Sequence, residues 1–175
     1  MTNAIPDGHT RETAMPRPSA RVVLLDAEDR VLLIYSEWDG RSLWFTPGGG
    51  LDPGEAPEDG VRRELREETG LDPATLHWDG LAWLRDWTWY SQRRDCWYAS
   101  HEYIYLARLA GVGPPLPNGD HDHTAEEILA LGEFRWWTVE ELRATLAPTS
   151  PACLLDVLPA LIADGCPATP IVIGQ

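Results

Sequence analysis

Apolar positions along this chain fall into short alternating and continuous runs, broken by clusters of glycine, proline and aspartate. Those runs predict its elements. Arg21–Tyr35 (RVVLLDAEDRVLLIY) holds two apolar stretches around Asp26–Asp29 and reads as a β-hairpin. Trp44–Thr46 forms a short strand entering the glycine run that ends at Gly50. Leu81–Tyr90 and Glu102–Leu109 read as two more strands, joined through Ser91–Tyr98. Gly111–Gly119 is a loop by its glycines and prolines. Phe134–Trp137 is a strand, after which Thr138 caps a helix over Val139–Leu146 with Glu141 at the capping-box position. A last helix is expected over Pro151–Ala163, bent or interrupted near Pro159.

The strongest helical pattern lies between these strands, over Ala56–Thr69. Pro57 suits a first helical turn, where its missing N–H costs nothing. Glu58 and Asp59 favour the positive end of the helix dipole. Gly70 can take the left-handed conformation that ends a helix, and Asp72-Pro73 blocks continuation. At about 100° per residue, Glu67 and Glu68 flank Glu64 at roughly 60° and 40°. Val61, Leu65 and Thr69 form the neighbouring apolar stripe. The three carboxylates thus border the buried stripe instead of opposing it, and like charges so close repel, more so when desolvated. A hard divalent cation relieves that repulsion better than Arg63 alone, and Mg²⁺ in particular takes one or two carboxylates together with phosphate oxygens. The simpler alternative is a solvated acidic helix face.

The spacing over Gly49–Leu71 (GGLDPGEAPEDGVRRELREETGL) is fixed more tightly than an amphipathic helix requires. Gly49, Glu55 and the run Arg63-Glu64-Leu65-Arg66-Glu67-Glu68-Thr69-Gly70-Leu71 would coincide by chance on the order of once in 10⁹ positions. This segment resembles the Nudix box at every defined position, with looser similarity over about 21–146. The resemblance implies a loop-helix-loop that holds Mg²⁺, with Mn²⁺ able to substitute, against a diphosphate. It implies Glu64 and Glu68 as principal metal ligands, Glu67 as a further ligand, and Arg63 as the residue orienting the glutamates. Gly48 stands where family members offer a backbone carbonyl to the metal, and Glu55 reads as structural. The implied reaction is hydrolysis of a nucleoside diphosphate linked to another moiety, with metal-assisted attack of water on phosphorus. Family members also place a carboxylate on a later loop. Glu126, Glu127 and Glu133 are the candidates here, with Glu127 favoured as a catalytic residue.

Strands interspersed with helices imply an α/β protein with helices on both faces of a sheet. The resemblance sharpens this to an α/β/α sandwich around a mixed central sheet. With 175 residues the chain fits one domain, read as 19–165 between an N-terminal tail over 1–18 and a C-terminal tail over 166–175. No apolar run reaches the length of a membrane span. Cys96, Cys153 and Cys166 are odd in number and lack metal-ligand spacing, which points to a reducing, cytoplasmic setting.

A net charge of −14 disfavours extended nucleic acid as a partner and leaves a small nucleotide arriving with its metal. A homodimer is compatible with the sequence. Nine tryptophans are many for this length. Trp83, Arg85, Trp87 and Trp89 alternate along one strand and share a face. Trp87, Trp89, Arg85 and the hairpin-tip Arg93 are therefore candidate substrate contacts, with the tryptophans as a stacking platform for a base. The competing assignment for those rings is aromatic core or a subunit interface. Glu102 is a further candidate contact. Beside the hydrolase stand two other classes: a nucleotide-sensing domain of the same fold that does not cleave, and an acidic calcium buffer, disfavoured by the absence of calcium-loop spacing.

Overall fold

The computed structural model describes residues 6–38, 41–116 and 132–174. Among them, ten strands form one mixed sheet: β1 (Met15–Pro16), β2 (Ser19–Leu25), β3 (Val31–Trp38), β4 (Arg41–Phe45), β5 (Gly48–Gly50), β6 (His77–Ser91), β7 (Cys96–Arg108), β8 (Phe134–Trp137), β9 (Thr149–Ser150) and β10 (Ile171–Val172). Helices α1 (Pro57–Thr69), α2 (Val139–Thr145) and α3 (Leu154–Asp164) complete the described elements, with a 3-10 turn at Pro73–Thr75. The sheet runs β10-β6-β7-β2-β3-β4-β9, while β1, β5 and β8 pair with β7, β2 and β3 respectively.

The centre of the sheet is β2, paired in parallel with β7 from Ser19↔Glu102 to Leu25↔Arg108. Its continuous apolar run follows from this position, because both of its faces are covered. Ala20, Val22 and Leu24 pack with Tyr105 and Ala107 against Val61 and Leu65 of α1. Val23 and Leu25 face the other way, joining Ile104, Leu106, Trp83 and Trp137 against Leu142 of α2 and Leu154, Leu158 and Leu161 of α3. Each such buried aliphatic side chain stabilises the fold by about 1.5–3 kcal/mol. Helices on both faces of a mixed sheet give the α/β/α sandwich.

The predicted helix over Ala56–Thr69 forms with Ala56 as the extended N-cap and Pro57 in the first turn. Gly70 ends it at φ 70°, its N–H donating to the Arg66 carbonyl. The Thr138–Glu141 capping box forms with both of its hydrogen bonds. Several elements differ from expectation. Arg21–Tyr35 is not a paired hairpin along its length: β2 and β3 pair only at Leu25↔Val31. Near its start β2 pairs instead with the glycine strand β5, at Ser19↔Gly50 through Arg21↔Gly48. The β6–β7 hairpin is longer than predicted: β6 begins at His77, and Cys96–His101, which did not read as strand, continue β7 to a turn over 92–95 that holds the charged residues Arg93, Arg94 and Asp95.

The two presumed tails extend the sheet where the structure describes them. Met15–Pro16 pairs with Tyr98–Ala99, and the Gly8 carbonyl accepts from the Trp97 N–H at 2.7 Å. Ile171–Val172 pairs with Trp83–Leu84, and Ile173 is buried. Helix α3 starts later than expected, at Leu154, and carries Pro159 within it. Among the described residues no helix is long and apolar enough to cross a membrane.

Candidate active site

Helix α1 and the glycine strand β5 together build an acidic site whose organiser is Arg63. Its Nε and Nη2 form a fork on Glu55, at 2.8 and 2.9 Å. Nη1 donates to both Glu64 and Glu67, at 3.0 and 2.9 Å, and Nη2 also reaches the Gly50 carbonyl at 3.2 Å. One guanidinium thus serves all five of its donors' directions, which lysine could not do. The Arg63 hydrogen bonds draw the Glu55 carboxyl down to about 2. Glu55 also accepts from the Asp52 N–H at 2.9 Å, so it closes the loop ahead of the helix, as its structural reading implied.

Glu68 is nearly buried and accepts from the Gly48 N–H at 2.7 Å. Burial pushes the Glu64 carboxyl up, against the opposing field of Arg63. Glycine is required opposite it: a Cβ on Gly49 would lie 2.6 Å from the Glu64 carboxylate. A Cβ on Gly48, at φ 131°, would meet the Ala20 carbonyl at 2.2 Å.

Next to this site the sheet presents a polar floor. Two-residue alternation and strand register place Arg17, Ser19 and Arg21 beside Ser100 and Glu102, which in turn face Trp87 and Arg85. Glu102, 1 % exposed, lies between two arginines. Its Oε1 accepts from Arg21 Nε at 3.1 Å, and its Oε2 accepts from Arg85 Nε at 2.7 Å. Burial works to raise its pKa, but the charges of Arg21 and Arg85 outweigh it and hold Glu102 below the ordinary value. Arg21 Nη1 then donates to the carbonyls of Thr46 and Gly48, at 2.9 and 3.0 Å. A continuous chain of bonds therefore runs from Arg85 through Glu102 and Arg21 to Gly48, and from the Gly48 N–H to Glu68.

The structure brings Glu64, Glu67, Glu68, Arg63 and Gly48 together on one loop and one helix. Trp87 and Trp89 stack at 5.8 Å between centroids, and Trp89 lies 4.8 Å from Tyr98, with its Nε1 donating to Ser100. Arg93 is exposed in the turn over 92–95. Arg85 corrects the prediction: it is 2 % exposed, paired with Glu102 and bonded to Ser150 Oγ, so it supports the floor instead of reaching substrate. Glu102 is likewise an internal ion-pair partner and not a surface contact, because parallel pairing of β2 and β7 sets it between two cations. Glu133 is exposed, and its carbonyl accepts from the Tyr35 N–H. Glu126 and Glu127 lie outside the described residues. Sequence reasoning missed Arg17 and Arg21; the available signal was their alternation with Ser19, immediately ahead of the apolar run of β2.

Among the described residues no three acidic, histidine or cysteine side chains stand grouped so as to hold a metal ion between them. The donors nevertheless fit a hard divalent cation. Mg²⁺ keeps several waters and needs few protein carboxylates. Glu64 and Glu67 each use only one oxygen on Arg63, and the side-chain-free backbone of Gly49 faces the Glu64 carboxylate. The Gly48 carbonyl, already bonded by Arg21, retains a second lone pair.

A model of the NUDIX domain matches residues 15–157. An RNA pyrophosphohydrolase of Wolbachia sp. subsp. Brugia malayi is 29% identical, over 75% of this chain and 81% of that protein. An RNA pyrophosphohydrolase of Rhizobium meliloti is 39% identical, over 86% of this chain and 96% of its own length. The crystal structure of a MutT protein from Methanosarcina mazei Go1 superposes with a TM-score of 0.60 at 18% identity, covering 86% of this chain and 96% of that one, and shares its fold. The matched region takes in the acidic helix, the glycine strand and the polar floor, and on that ground the chain belongs to the Nudix hydrolase family, whose members act on phosphoric anhydride bonds.

Proposed function

We propose that the chain is a Mg²⁺-dependent pyrophosphohydrolase of a nucleoside diphosphate linked to another moiety, with a free nucleotide or nucleotide derivative as substrate. The observation that carries this reading is the acidic group Glu64, Glu67 and Glu68, organised by Arg63 and joined through Gly48, Arg21 and Glu102 to the strand pair that carries the stacked Trp87 and Trp89. Those three glutamates, with the Gly48 carbonyl, would hold the divalent ion. When bound, the ion neutralises the bridging phosphates and lowers the pKa of a water.

The chain's own residues supply orientation. Arg63 fixes Glu55, Glu64 and Glu67 in one arrangement, and Glu68 locks the Gly48 turn through its bond to the backbone. Trp87 and Trp89 offer ring faces to a base, at about 1–3 kcal/mol per stacked base. A carboxylate of the acidic group, or Glu127, accepts the proton of the attacking water.

The test is product analysis of a panel with Mg²⁺ or Mn²⁺: nucleoside triphosphates, nucleotide sugars, ADP-ribose, dinucleoside polyphosphates and a 5′-triphosphate RNA. The last is included because relatives bear the name RNA pyrophosphohydrolase, although the acidic surface disfavours a long polyanion. Glu68→Gln is run alongside, since its amide oxygen can still accept from Gly48 and preserve the fold. We expect turnover of one substrate class and a loss of about 10²-fold or more in the variant. Wild-type rates in Glu68→Gln would overturn the ligand assignment. Nucleotide binding without turnover across the panel would replace the hydrolase with a sensing domain of the same fold.

A further inference from the structure

Three successive carbonyls in the short link between β4 and β5 are held from the central strand β2. Arg21 Nη1 donates to the Thr46 and Gly48 carbonyls at 2.9 and 3.0 Å, and the Val22 N–H donates to the Pro47 carbonyl at 2.9 Å. On its other side the Gly48 N–H donates to Glu68 at 2.7 Å. The link is also pressed against β2, since a Cβ on Gly48 would lie 2.6 Å from the Arg21 Cα.

The Arg21 guanidinium is itself held from behind. Its Nε donates to Glu102 Oε1 at 3.1 Å, and its carbon stands 5.6 Å over the Phe45 ring. Glu102 Oε2 accepts from Arg85 Nε at 2.7 Å, and Arg85 Nη2 reaches Ser150 Oγ at 3.2 Å. Nε and Nη1 of Arg21 are thus engaged with the protein's own carboxylate and carbonyls, not turned to a ligand.

Stability is a weak reason for this arrangement, because apolar residues of similar volume often replace a buried ion pair at no loss. Apolar residues could not supply a planar, rigid donor that reaches a carboxylate and two carbonyls at once. Charge matters as well. An isolated guanidinium on the Gly48 carbonyl would oppose a divalent cation approaching the same oxygen. Glu102, 1 % exposed, offsets that charge at 3.1 Å, so the carbonyl is held with less repulsion.

We infer that Arg21 is a positioning residue, backed by Glu102 and Arg85, that fixes the Gly48 backbone and thereby sets the affinity of the site for its divalent cation. This rests on the metal reading above and goes beyond it, assigning a role to three side chains outside the acidic group.

The experiment measures Mn²⁺ binding to metal-free protein without substrate, by electron paramagnetic resonance of the free ion, in wild type, Arg21→Lys, Glu102→Gln and Leu161→Ala. Arg21→Lys keeps the charge but lacks the fork that spans Glu102 and both carbonyls. Glu102→Gln keeps an acceptor of the same shape and leaves the Arg21 charge without its offset. Leu161→Ala, in the core of α3, lowers stability through a cavity and alters no group of the network. The Mn²⁺ dissociation constant is expected to rise about tenfold or more in the Arg21 and Glu102 variants, the size typical of groups that orient metal ligands. It is expected to keep its wild-type value in Leu161→Ala. The Gly48 amide resonance, followed without metal, should move in Arg21→Lys and stay in place in Leu161→Ala. A wild-type constant in Arg21→Lys, or an equal loss in Leu161→Ala, overturns the inference, and a wild-type constant in Glu102→Gln overturns the charge offset. If the wild type binds no Mn²⁺, the metal reading fails, and the Gly48 resonance alone decides whether Arg21 positions the backbone.

Discussion

Replacing Glu102 by leucine tests whether the polar floor depends on its buried charge. Glu102 is 1 % exposed and balances Arg85, which is 2 % exposed, together with the partly buried Arg21. The substitution leaves two guanidiniums facing an apolar side chain. Removing one partner of a buried ion pair costs about 3–5 kcal/mol, because the remaining charge is stranded. In a chain of this size each kcal/mol lowers Tm by roughly 2–4 °C, which gives a fall of about 6–20 °C. Calorimetric or circular-dichroism melts read this directly. Exchanging both partners, Glu102→Leu with Arg85→Met, should recover part of the loss, since well-packed apolar replacements of buried pairs are often neutral. The pH dependence has a definite sign. Glu102 is held below its ordinary 4.5, so its contribution is complete above that value and is lost as pH falls through the folded-state pKa. A melt shifted by less than about 2 °C at neutral pH, or one that the second substitution worsens, would refute the reasoning.

Two further outcomes follow from the acidic site. Gly49→Ala places a methyl 2.6 Å from the present Glu64 carboxylate and must displace it; the Mn²⁺ concentration needed for half-maximal activation is expected to rise about tenfold or more, while Tm changes little. The Glu55–Arg63 fork, with Glu55 drawn down to about 2, stabilises the loop above about 4.5 and loses that contribution as pH falls toward 2. In Glu55→Gln the fall in stability across that interval should be shallower than in wild type when followed by urea denaturation at stepped pH.

The acidic helix was legible in the sequence because its determinants are local. Pro57, Gly70 and the spacing from Gly49 to Glu68 all lie within one loop and one helix, so residue order alone sets their geometry. The floor was not legible, because it is assembled by pairings between distant segments. Arg21 meets Glu102 across 81 positions, and only the parallel register of β2 on β7 reveals the contact. Taken by itself, Glu102 between His101 and Tyr103 looks like an exposed acid on a strand, and Arg85 like a substrate contact. Met15–Pro16 read as a tail for the same reason: its partner, Tyr98–Ala99, is far along the chain.

The register also explains how a protein of net charge −14 can receive a polyanion. The excess negative charge belongs to the molecule as a whole, but the face next to the acidic helix is organised differently. Glu102 is fully committed to Arg21 and Arg85, and Glu55 to Arg63, so these carboxylates cancel cations instead of repelling phosphate. The carboxylates left with unbonded oxygens include Glu64 and Glu67, where a divalent ion would reverse their sign. Arg17, half-buried and without an ion pair among the described residues, stands against Gly50 and over the Trp89 ring. On the proposed reading, the acidic group would meet a bound polyphosphate through a cation. Charge reversal at Glu64 or Glu67 should therefore weaken substrate binding far more than the same change elsewhere on the surface, where screening reduces its effect.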